Sequence, residues 1–187
     1  MAQVSTNEFK AGLKVEIDGE PYVMASNEFV KPGKGQPFNR VKLKHLKTGR
    51  VTEKTYRSGE KLHLADVEEA KMRLLYREMD NFVFMDERTY DQHTVSKAVI
   101  GDKENWCKDD TEYDLIFYNG EIIDIIPPTF MEMTITETAP GLRGDTSGRV
   151  LKPAMLETGA KIQVPIFINQ GDKIKVDTRN GAYVSRV

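Results

Sequence analysis

The stretch KPGKGQP at residues 31–37 places one lysine in a setting suited to contact with another molecule. Lys34 lies at its centre, between Gly33 and Gly35. Proline and glycine disfavour a helix and a central strand, so the stretch is predicted to be a loop. A loop lysine ordinarily serves only solubility. Here the glycines let the backbone approach another surface closely and the prolines stiffen the approach, which favours an ammonium group presented to a partner.

The segment around this loop carries a one-sided charge. Residues 29–57 contain nine Lys or Arg side chains and one acidic residue, Glu53. Arg40, Lys42 and Lys44 alternate along the chain, so in a strand their side chains would line one face. A one-sided basic block indicates a polyanionic partner. The segment is therefore predicted to be a finger that enters RNA, with these three side chains on the phosphate backbone.

A catalytic lysine is the enzymatic alternative for Lys34. Schiff-base chemistry needs a lysine whose pKa is lowered by burial or by a cationic neighbour inside a pocket. A glycine-flanked loop offers no apolar burial. Because no set of nucleophile, base and orienting residue can be assembled from the sequence, we expect no catalytic residue and no enzymatic activity.

Metal, cofactor and membrane sites are not expected either. Cys107 is the only cysteine, and the three histidines are scattered without metal-ligand spacing. A single cysteine excludes an intrachain disulfide and fits a reducing cytosol. The first ten residues lack the apolar core of a signal peptide, and no apolar run approaches the ~20 residues that span a bilayer. We therefore expect a cytoplasmic protein without membrane contact. Trp106 and Cys107, in a polar context, are interpreted as packing residues.

A second candidate contact is the stretch GLRGDTSG at residues 141–148. Its glycines and hydroxyl residues would allow backbone N–H groups to bind phosphate. It lacks the Gly-Lys-Ser/Thr ending of a nucleotide P-loop, and an ordinary loop is an equally good interpretation. The candidate RNA-contacting residues of this stretch are Arg143, Gly144, Asp145, Thr146 and Ser147.

Turn signals between short β-rich runs predict hairpins along the whole chain. Asp18-Gly19, Asn119-Gly120 and Asn180-Gly181 supply the positive φ angles of tight turns. Apolar residues alternate at 131–135 and at 162–168, which indicates half-buried strands. The protein is predicted to be mostly β.

One segment allows two interpretations. Residues 66–79 are rich in helix formers, which favours a helix. Met72, Leu74 and Tyr76 also alternate as one face of a strand would, and the residues at Met79 would then form a turn. Composition and periodicity leave helix and strand both open here.

The chain is predicted to contain three domains of roughly 60 residues, each the size of a small β-barrel. The boundaries are residues 1–64, 65–128 and 129–187, whose net charges are +5, −9 and +2. The second boundary follows a pair of prolines, which stops a strand and stiffens a linker. Three such globules in a row would make an elongated molecule.

Two long stretches resemble bacterial translation elongation factor P. They are EFVKPGKGQPFNRVKLKHLKTG at residues 28–49 and GLRGDTSGRVLKPAMLETGAKIQVPIFINQGDKIKVDTRNGAYVSR at residues 141–186. Lys34 matches the tip of the lysine-tipped type of this family. The similarity covers nearly the whole chain, and SGRVLKP at 147–153 is bulkier than the glycine-rich version of the family.

The resemblance implies a fold. The family has an SH3-like (KOW-like) barrel that carries the lysine loop, followed by two barrels of the oligonucleotide-binding (OB) type. The three are arranged as an L that resembles a tRNA. The resemblance also favours strands over a helix at residues 66–79.

The resemblance further implies a function in translation. Members bind the ribosome between the peptidyl and exit tRNA sites and promote peptide bond formation at consecutive prolines. The tip lysine, here Lys34, is extended after translation, often by β-lysylation. The implied partners of this monomer are ribosomal RNA and proteins, peptidyl-tRNA or initiator tRNA in the P site, and the enzyme that modifies Lys34. The residues implied at the CCA end of the tRNA are Lys31, Pro32, Gly33, Lys34, Gly35 and Gln36.

A general RNA-binding or RNA-chaperone protein built from the same barrels is the alternative function. Such a protein would bind many RNAs and affect most messages alike. An elongation factor of this family would act selectively on messages that encode consecutive prolines.

Overall fold

The computed structural model describes residues 2–141 and 149–187. Within those ranges the chain forms three β-sheets. Its helices there are short: an α-helix at Lys97–Ile100 and 3₁₀ helices at Thr6–Glu8 and Gly101–Trp106. The prediction of a mostly β protein is confirmed.

The first sheet has six strands in the order β1-β6-β2-β3-β4-β5. The strands are β1 (Gln3–Ser5), β2 (Lys14–Ile17), β3 (Glu20–Val30), β4 (Phe38–His45), β5 (Val51–Arg57) and β6 (Lys61–Leu64). The Asp18-Gly19 turn joins β2 to β3, and both residues have the predicted positive φ, 54° and 76°. β1 lies antiparallel to β6, with Val4 opposite Leu62. The first and last strands of this sheet are therefore neighbours.

One face of the first sheet is apolar because residues two apart along a strand share a face. Its buried cluster consists of Val4, Phe9, Val15, Met24, Val41 and Leu43. Burying an aliphatic or aromatic side chain of this size contributes about 1.5–3 kcal/mol relative to leaving it exposed. This cluster supports the half of the β3–β4 hairpin that is farther from the loop 31–37.

The second sheet has five strands in the order β11-β10-β7-β8-β9. The strands are β7 (Val67–Glu78), β8 (Asn81–Met85), β9 (Gln92–Ser96), β10 (Thr111–Tyr118) and β11 (Glu121–Ile126). The segment that allowed two interpretations is thus a strand, β7. Met79 forms the predicted turn at φ 53°. Helix propensity is overridden here by cross-strand pairing with β8.

The expected face of β7 is only partly correct. Met72 and Leu74 are buried, but Tyr76 is 44% exposed. The pairing register between β7 and β8 shifts between Leu74 and Tyr76, as in a β-bulge. A bulge inserts one residue and moves the following side chains to the other face, which breaks the period of two.

The third sheet has five strands in the order β14-β13-β12-β15-β16. The strands are β12 (Phe130–Thr138), β13 (Leu151–Leu156), β14 (Lys161–Pro165), β15 (Lys173–Asp177) and β16 (Ala182–Arg186). Met131, Met133 and Ile135 are buried on one face, as their alternation predicts. The strand expected across 162–168 is shorter than predicted: β14 ends at Pro165, and Ile168 reaches the same core from outside the strand.

The chain divides into two compact units, residues 1–70 with 115–124 and residues 71–114 with 125–187. The division into domains 1–64, 65–128 and 129–187 stays a prediction. In the part of the chain that the structure describes, no helix is long and apolar enough to cross a membrane. The described residues also contain no group of three or more His, Cys, Asp or Glu side chains that could hold a metal ion.

Candidate RNA interface

The loop 31–37 lies at the end of the β3–β4 hairpin, which we call the arm, and β5 pairs with β4 along the whole of it, from Lys44 opposite Val51 to Phe38 opposite Arg57. Val30 lies opposite Phe38, and Phe29 opposite Asn39, so the strands stay paired up to the loop. The loop contains no helix or strand, as predicted. Gly35 adopts a φ of 114°, a backbone conformation that residues other than glycine rarely tolerate. This glycine lets the backbone reverse its direction directly after Lys34.

Lys34 is exposed, as are Lys31 and Gln36. Among the described residues, neither lysine forms an ion pair or a side-chain hydrogen bond. A Cβ added to Gly33 would meet no atom within 4 Å, which shows how open this end of the arm is. The ammonium group of Lys34 lacks the apolar surroundings that a Schiff-base lysine needs. It has the reach and the charge to meet a partner.

Arg40, Lys42 and Lys44 line the exposed face of β4, while Val41 and Leu43 between them are buried. The predicted sharing of one face is confirmed. It follows from the alternation of side chains along a strand.

The three charges are not equally available. Arg40 lies 3.6 Å from Glu28 and 3.8 Å from Glu53, both on neighbouring strands. Lys42 and Lys44 form no ion pair with another described residue. The guanidinium charge of Arg40 is thus partly offset within the sheet, and the two lysines carry most of the free positive charge of this face.

Lys47, at the other end of the hairpin, is also engaged. Its ammonium group lies 3.5 Å from Glu20 and 5.7 Å from the ring centre of Tyr118. The same carboxylate lies 3.1 Å from Nε2 of His45. The free positive charge of β4 therefore lies on Lys42 and Lys44, in the half of the strand that is farther from the loop.

Two functional candidates were missed in the sequence. Asn27 and Asn39 lie on the inner face of the arm, and Asn39 is 3% exposed. The Nδ2 group of Asn39 donates to Oδ1 of Asn27 at 2.9 Å. The sequence did contain a signal for them: each is a polar residue at a position that strand alternation places on the same face as the buried Val41.

The second predicted contact, Arg143, Gly144, Asp145, Thr146 and Ser147, lies outside the described residues. The residues that flank it in the third sheet are described. The N–H of Gly141 donates to Oδ1 of Asn169 at 2.7 Å. A Cβ on Gly141 would stand 2.9 Å from the carbonyl oxygen of Phe167, so only glycine fits there.

A buried cation lies close to the same place. Lys152 is 9% exposed, and its ammonium group donates to the carbonyl oxygens of Ile168, at 2.5 Å, and Ala139. A buried ammonium group is tolerated when its hydrogen bonds are satisfied. The chain on both sides of residues 142–148 is thus tied to the third sheet.

Trp106 and Cys107 pack as predicted. Trp106 is partly buried against the core of the third sheet. The thiol of Cys107 is half-buried, and this burial raises its pKa to about 12, while the charge of Arg77 lowers it to a smaller extent. Neither residue offers a reactive group at neutral pH.

Three family models match successive parts of the chain. The elongation factor P KOW-like domain matches residues 5–62, the elongation factor P OB domain matches residues 67–125, and the elongation factor P C-terminal domain matches residues 131–186. Together they span most of the sequence. Their combination defines a translation elongation factor.

Curated relatives agree along the full length. Elongation factor P 2 of Protochlamydia amoebophila is 63% identical over 188 residues, covering 100% of this chain and 99% of the relative. Elongation factor P 2 of Chlamydia trachomatis is 57% identical over the same span, with the same coverage. The chain belongs to the elongation factor P family.

Solved structures show a related fold at low identity. Eukaryotic translation initiation factor 5A from Methanococcus jannaschii has a TM-score of 0.53 and 24% identity, covering 67% of this chain and 94% of its own. A protein of the same factor family from Naegleria fowleri has a TM-score of 0.51 and 13% identity, covering 67% of this chain and 97% of its own. At such identities the likeness concerns the fold alone.

Proposed function

We propose that this protein binds the ribosome between the peptidyl and exit tRNA sites and promotes peptide bond formation at consecutive prolines. In this proposal it positions peptidyl-tRNA through Lys34, which is extended after translation. The observation that carries the proposal is the exposed Lys34 at the end of the arm. It stands in a chain whose three parts all match elongation factor P.

The physical role of the arm is orientation. Proline is a rigid and poor nucleophile, and correct alignment of two reactants can lower a barrier by several kcal/mol. A lysine lengthened by a further amino acid would reach the CCA end of the tRNA and hold it with charge-assisted hydrogen bonds. The loop backbone from Lys31 to Gln36 would approach the same end closely, since its glycines carry no side chains. The ribosome supplies the chemistry, and the protein supplies the position.

RNA backbone contacts would hold the arm in place. Lys42 and Lys44 offer free positive charge to phosphates, and Arg40 adds a guanidinium group that it shares with two glutamates. A second contact is proposed for Arg143, Gly144, Asp145, Thr146 and Ser147 in the C-terminal domain. The proposed domains are residues 1–64, 65–128 and 129–187.

The proposal names the partners. They are ribosomal RNA and ribosomal proteins, the P-site peptidyl-tRNA or initiator tRNA, and an enzyme that extends Lys34. The protein would act as a cytoplasmic monomer and would itself catalyse no reaction.

The decisive test is translation of two matched reporters by purified ribosomes, one with a run of prolines and one without. We expect the protein with extended Lys34 to accelerate only the proline reporter. Lys34→Ala should fold normally and lose this effect, because it removes both charge and reach. Lys34→Arg should also fail, because a lysine-modifying enzyme cannot use a guanidinium group. Equal effects on both reporters would instead support a general RNA chaperone, which would bind RNA through the same basic face.

The modification has its own test. Intact-mass analysis of protein from its native cells should show an added mass that tryptic mapping places on Lys34. Unmodified Lys34 with full activity on proline runs would contradict the role of the extension. A fully active Lys34→Ala variant would contradict the positioning mechanism.

A further inference from the structure

The inner face of the arm, the face that carries Val41 and Leu43, changes from apolar to polar toward the loop. The buried side chains of Met24, Val41 and Leu43 support the half of the arm that is farther from the loop. Beyond Val41 the inner face carries Asn27, Asn39 and Phe29, and Phe29 is 59% exposed. β5 continues the sheet beside β4 here, with Tyr56 opposite Asn39, whereas β2 pairs with β3 only as far as Val23. A sheet of so few strands needs a surface to pack on. Polar contacts must therefore supplement strand pairing in this part of the arm.

Two asparagine side chains provide that support. Nδ2 of Asn39 donates to Oδ1 of Asn27 at 2.9 Å and to the carbonyl oxygen of Thr6 at 3.4 Å. Nδ2 of Asn27 donates to the carbonyl oxygen of Phe9 at 3.0 Å. The two amides therefore connect both strands of the arm to residues 6–9.

Residues 6–9 are themselves fixed to the first sheet. The N–H of Thr6 donates to the carbonyl oxygen of Glu60 at 3.2 Å, and the N–H of Gly59 donates to Oγ1 of Thr6 at 2.9 Å. Phe9 is buried, and its ring meets the ring of Tyr56 edge to face at 5.7 Å. The amides of the arm thus bind to a segment that is itself anchored to the first sheet and its core.

A further bond fixes the arm at its loop. The backbone N–H of Ser58 donates to the carbonyl oxygen of Pro37 at 3.4 Å, and Oγ of Ser58 donates to the same oxygen at 3.3 Å. The β5–β6 turn therefore holds one end of the loop that carries Lys34. Strand pairing with β5 restrains β4, the amides tie β3 and β4 to residues 6–9, and this turn restrains the arm next to the loop.

We propose that Asn27 and Asn39 are positioning residues that fix the direction of the arm and hence the place of Lys34. This inference rests on the proposed function of Lys34. Hydrogen bonds constrain direction in a way that apolar contact does not, because they weaken steeply away from linear geometry. A fixed arm presents Lys34 already oriented, so binding does not have to restrict a swinging hairpin.

The test uses the full-length protein with extended Lys34 and three variants. Asn39→Leu keeps the side-chain volume and removes the amide, so burial is retained. Asn27→Ala removes the partner from the other strand. Ser26→Ala is the matched control, because Ser26 is the exposed neighbour of Asn27 and forms no side-chain hydrogen bond with another described residue. Melting temperature establishes that each variant is folded.

Two measurements report position. Residual dipolar couplings of the backbone N–H groups at 28–38 give the direction of the arm relative to β2 and β6, which lie outside it in the same sheet. The rate of peptide bond formation at a proline pair reports function. We expect the couplings of Asn39→Leu and Asn27→Ala to shrink or reorient and the rate to fall by about tenfold, less than the ~100-fold that a 1 Å misplacement can cost. Mass spectrometry should show Lys34 still extended, and Ser26→Ala should match the unaltered protein.

The outcomes separate this inference from the proposed function. If the unaltered protein accelerates proline pairs and Lys34→Ala does not, the function stands. Unchanged couplings or an unchanged rate in folded Asn39→Leu would then overturn the positioning role alone. If Lys34→Ala is fully active, the proposed function fails, while altered couplings in Asn39→Leu would still show that the amides set the direction of the arm.

Discussion

The indole ring of Trp106 lies against the backbone of Gly181, and a Cβ placed on that glycine would stand 3.7 Å from both Cζ2 and Cη2 of the ring. Gly181 turns the chain between β15 and β16 at a φ of 72°. The backbone of Trp106 is held as well, because the hydroxyl of Tyr113 donates to its carbonyl oxygen at 2.5 Å. The ring thus covers one end of the third sheet.

This contact predicts how size at position 181 affects stability. Gly181→Ala should cost about 1 kcal/mol through its positive φ alone, since the methyl group is in ordinary contact distance. Gly181→Leu should cost clearly more, because a branched side chain must displace the indole. Gly171 provides the control, with a φ of 88° and no atom within 4 Å of an added Cβ. Urea unfolding should show equal costs for the two alanine variants and unequal costs for the two leucine variants. Equal leucine costs would exclude a steric role of Trp106.

The acid side of the stability profile should depend on Asp177. Its carboxylate accepts from Nη2 of Arg179 at 2.7 Å and from Nε at 3.0 Å, and these bonds, with one from the backbone N–H of Arg179, lower the pKa of Asp177. A lowered pKa in the folded state adds stability above the unfolded value of about 3.9. That stability is lost as the pH falls through the folded pKa.

Arg179→Gln should therefore reduce stability at pH 6 and flatten its decline below about pH 4. The free energy of unfolding measured by urea between pH 2 and pH 6 tests this expectation. Arg186→Gln is the matched control, since Arg186 donates to Asp172 at 2.8 Å on the same sheet. A profile of Arg179→Gln parallel to that of the unaltered protein would show that the bond does not affect the titration of Asp177.

Cys107 should be unreactive in the folded protein. Burial raises the pKa of its thiol to about 12, so very little of the reactive thiolate is present at pH 8. We expect slow labelling by an aromatic disulfide reagent at pH 8 and fast labelling in 8 M urea. Ser185→Cys in a Cys107→Ser background provides an exposed thiol for comparison. Equal native-state rates for the two thiols would contradict the protection.

The basic face should not contribute evenly to ribosome binding. Lys44 forms no ion pair with another described residue, whereas Arg40 is shared with Glu28 and Glu53. The logarithm of the affinity falls as the logarithm of the salt concentration rises. Lys44→Gln should make this slope shallower by about one unit, as expected for one lost phosphate contact. Arg40→Gln should make the slope shallower by less than one unit. Lys61→Gln, with the same charge change on β6, should leave the slope unchanged. If all three variants kept the slope of the unaltered protein, the basic face would be merely solvated.

The sequence predicted the features of this fold that depend on near neighbours. Asp18-Gly19 and Asn119-Gly120 turn where expected, because a two-residue hairpin turn is determined by the φ angles that its own residues allow. The loop around Lys34 and the shared face of Arg40, Lys42 and Lys44 follow from equally local rules.

Features that depend on distant parts of the chain were not predictable. The bulge that exposes Tyr76 depends on the pairing of β7 with β8. Glu28 offsets the charge of Arg40 only because the register of β3 and β4 places them opposite each other. Asn39 and Thr6 are 33 residues apart, so no periodicity within β4 could indicate their hydrogen bond.

Because β1 pairs with β6, the first sheet does not depend on an unbroken chain at the loop 31–37. If the chain were cut at Lys34, β1, β2 and β3 would belong to one fragment and β4, β5 and β6 to the other. Three of the five strand pairings would still join them: β1 with β6, β6 with β2, and β3 with β4. The sheet therefore has the topology of a domain that tolerates circular permutation or reassembly from fragments at this point. Residues at the end of the arm can accordingly diverge in evolution, or receive new chemical groups, at little cost to the fold that carries them.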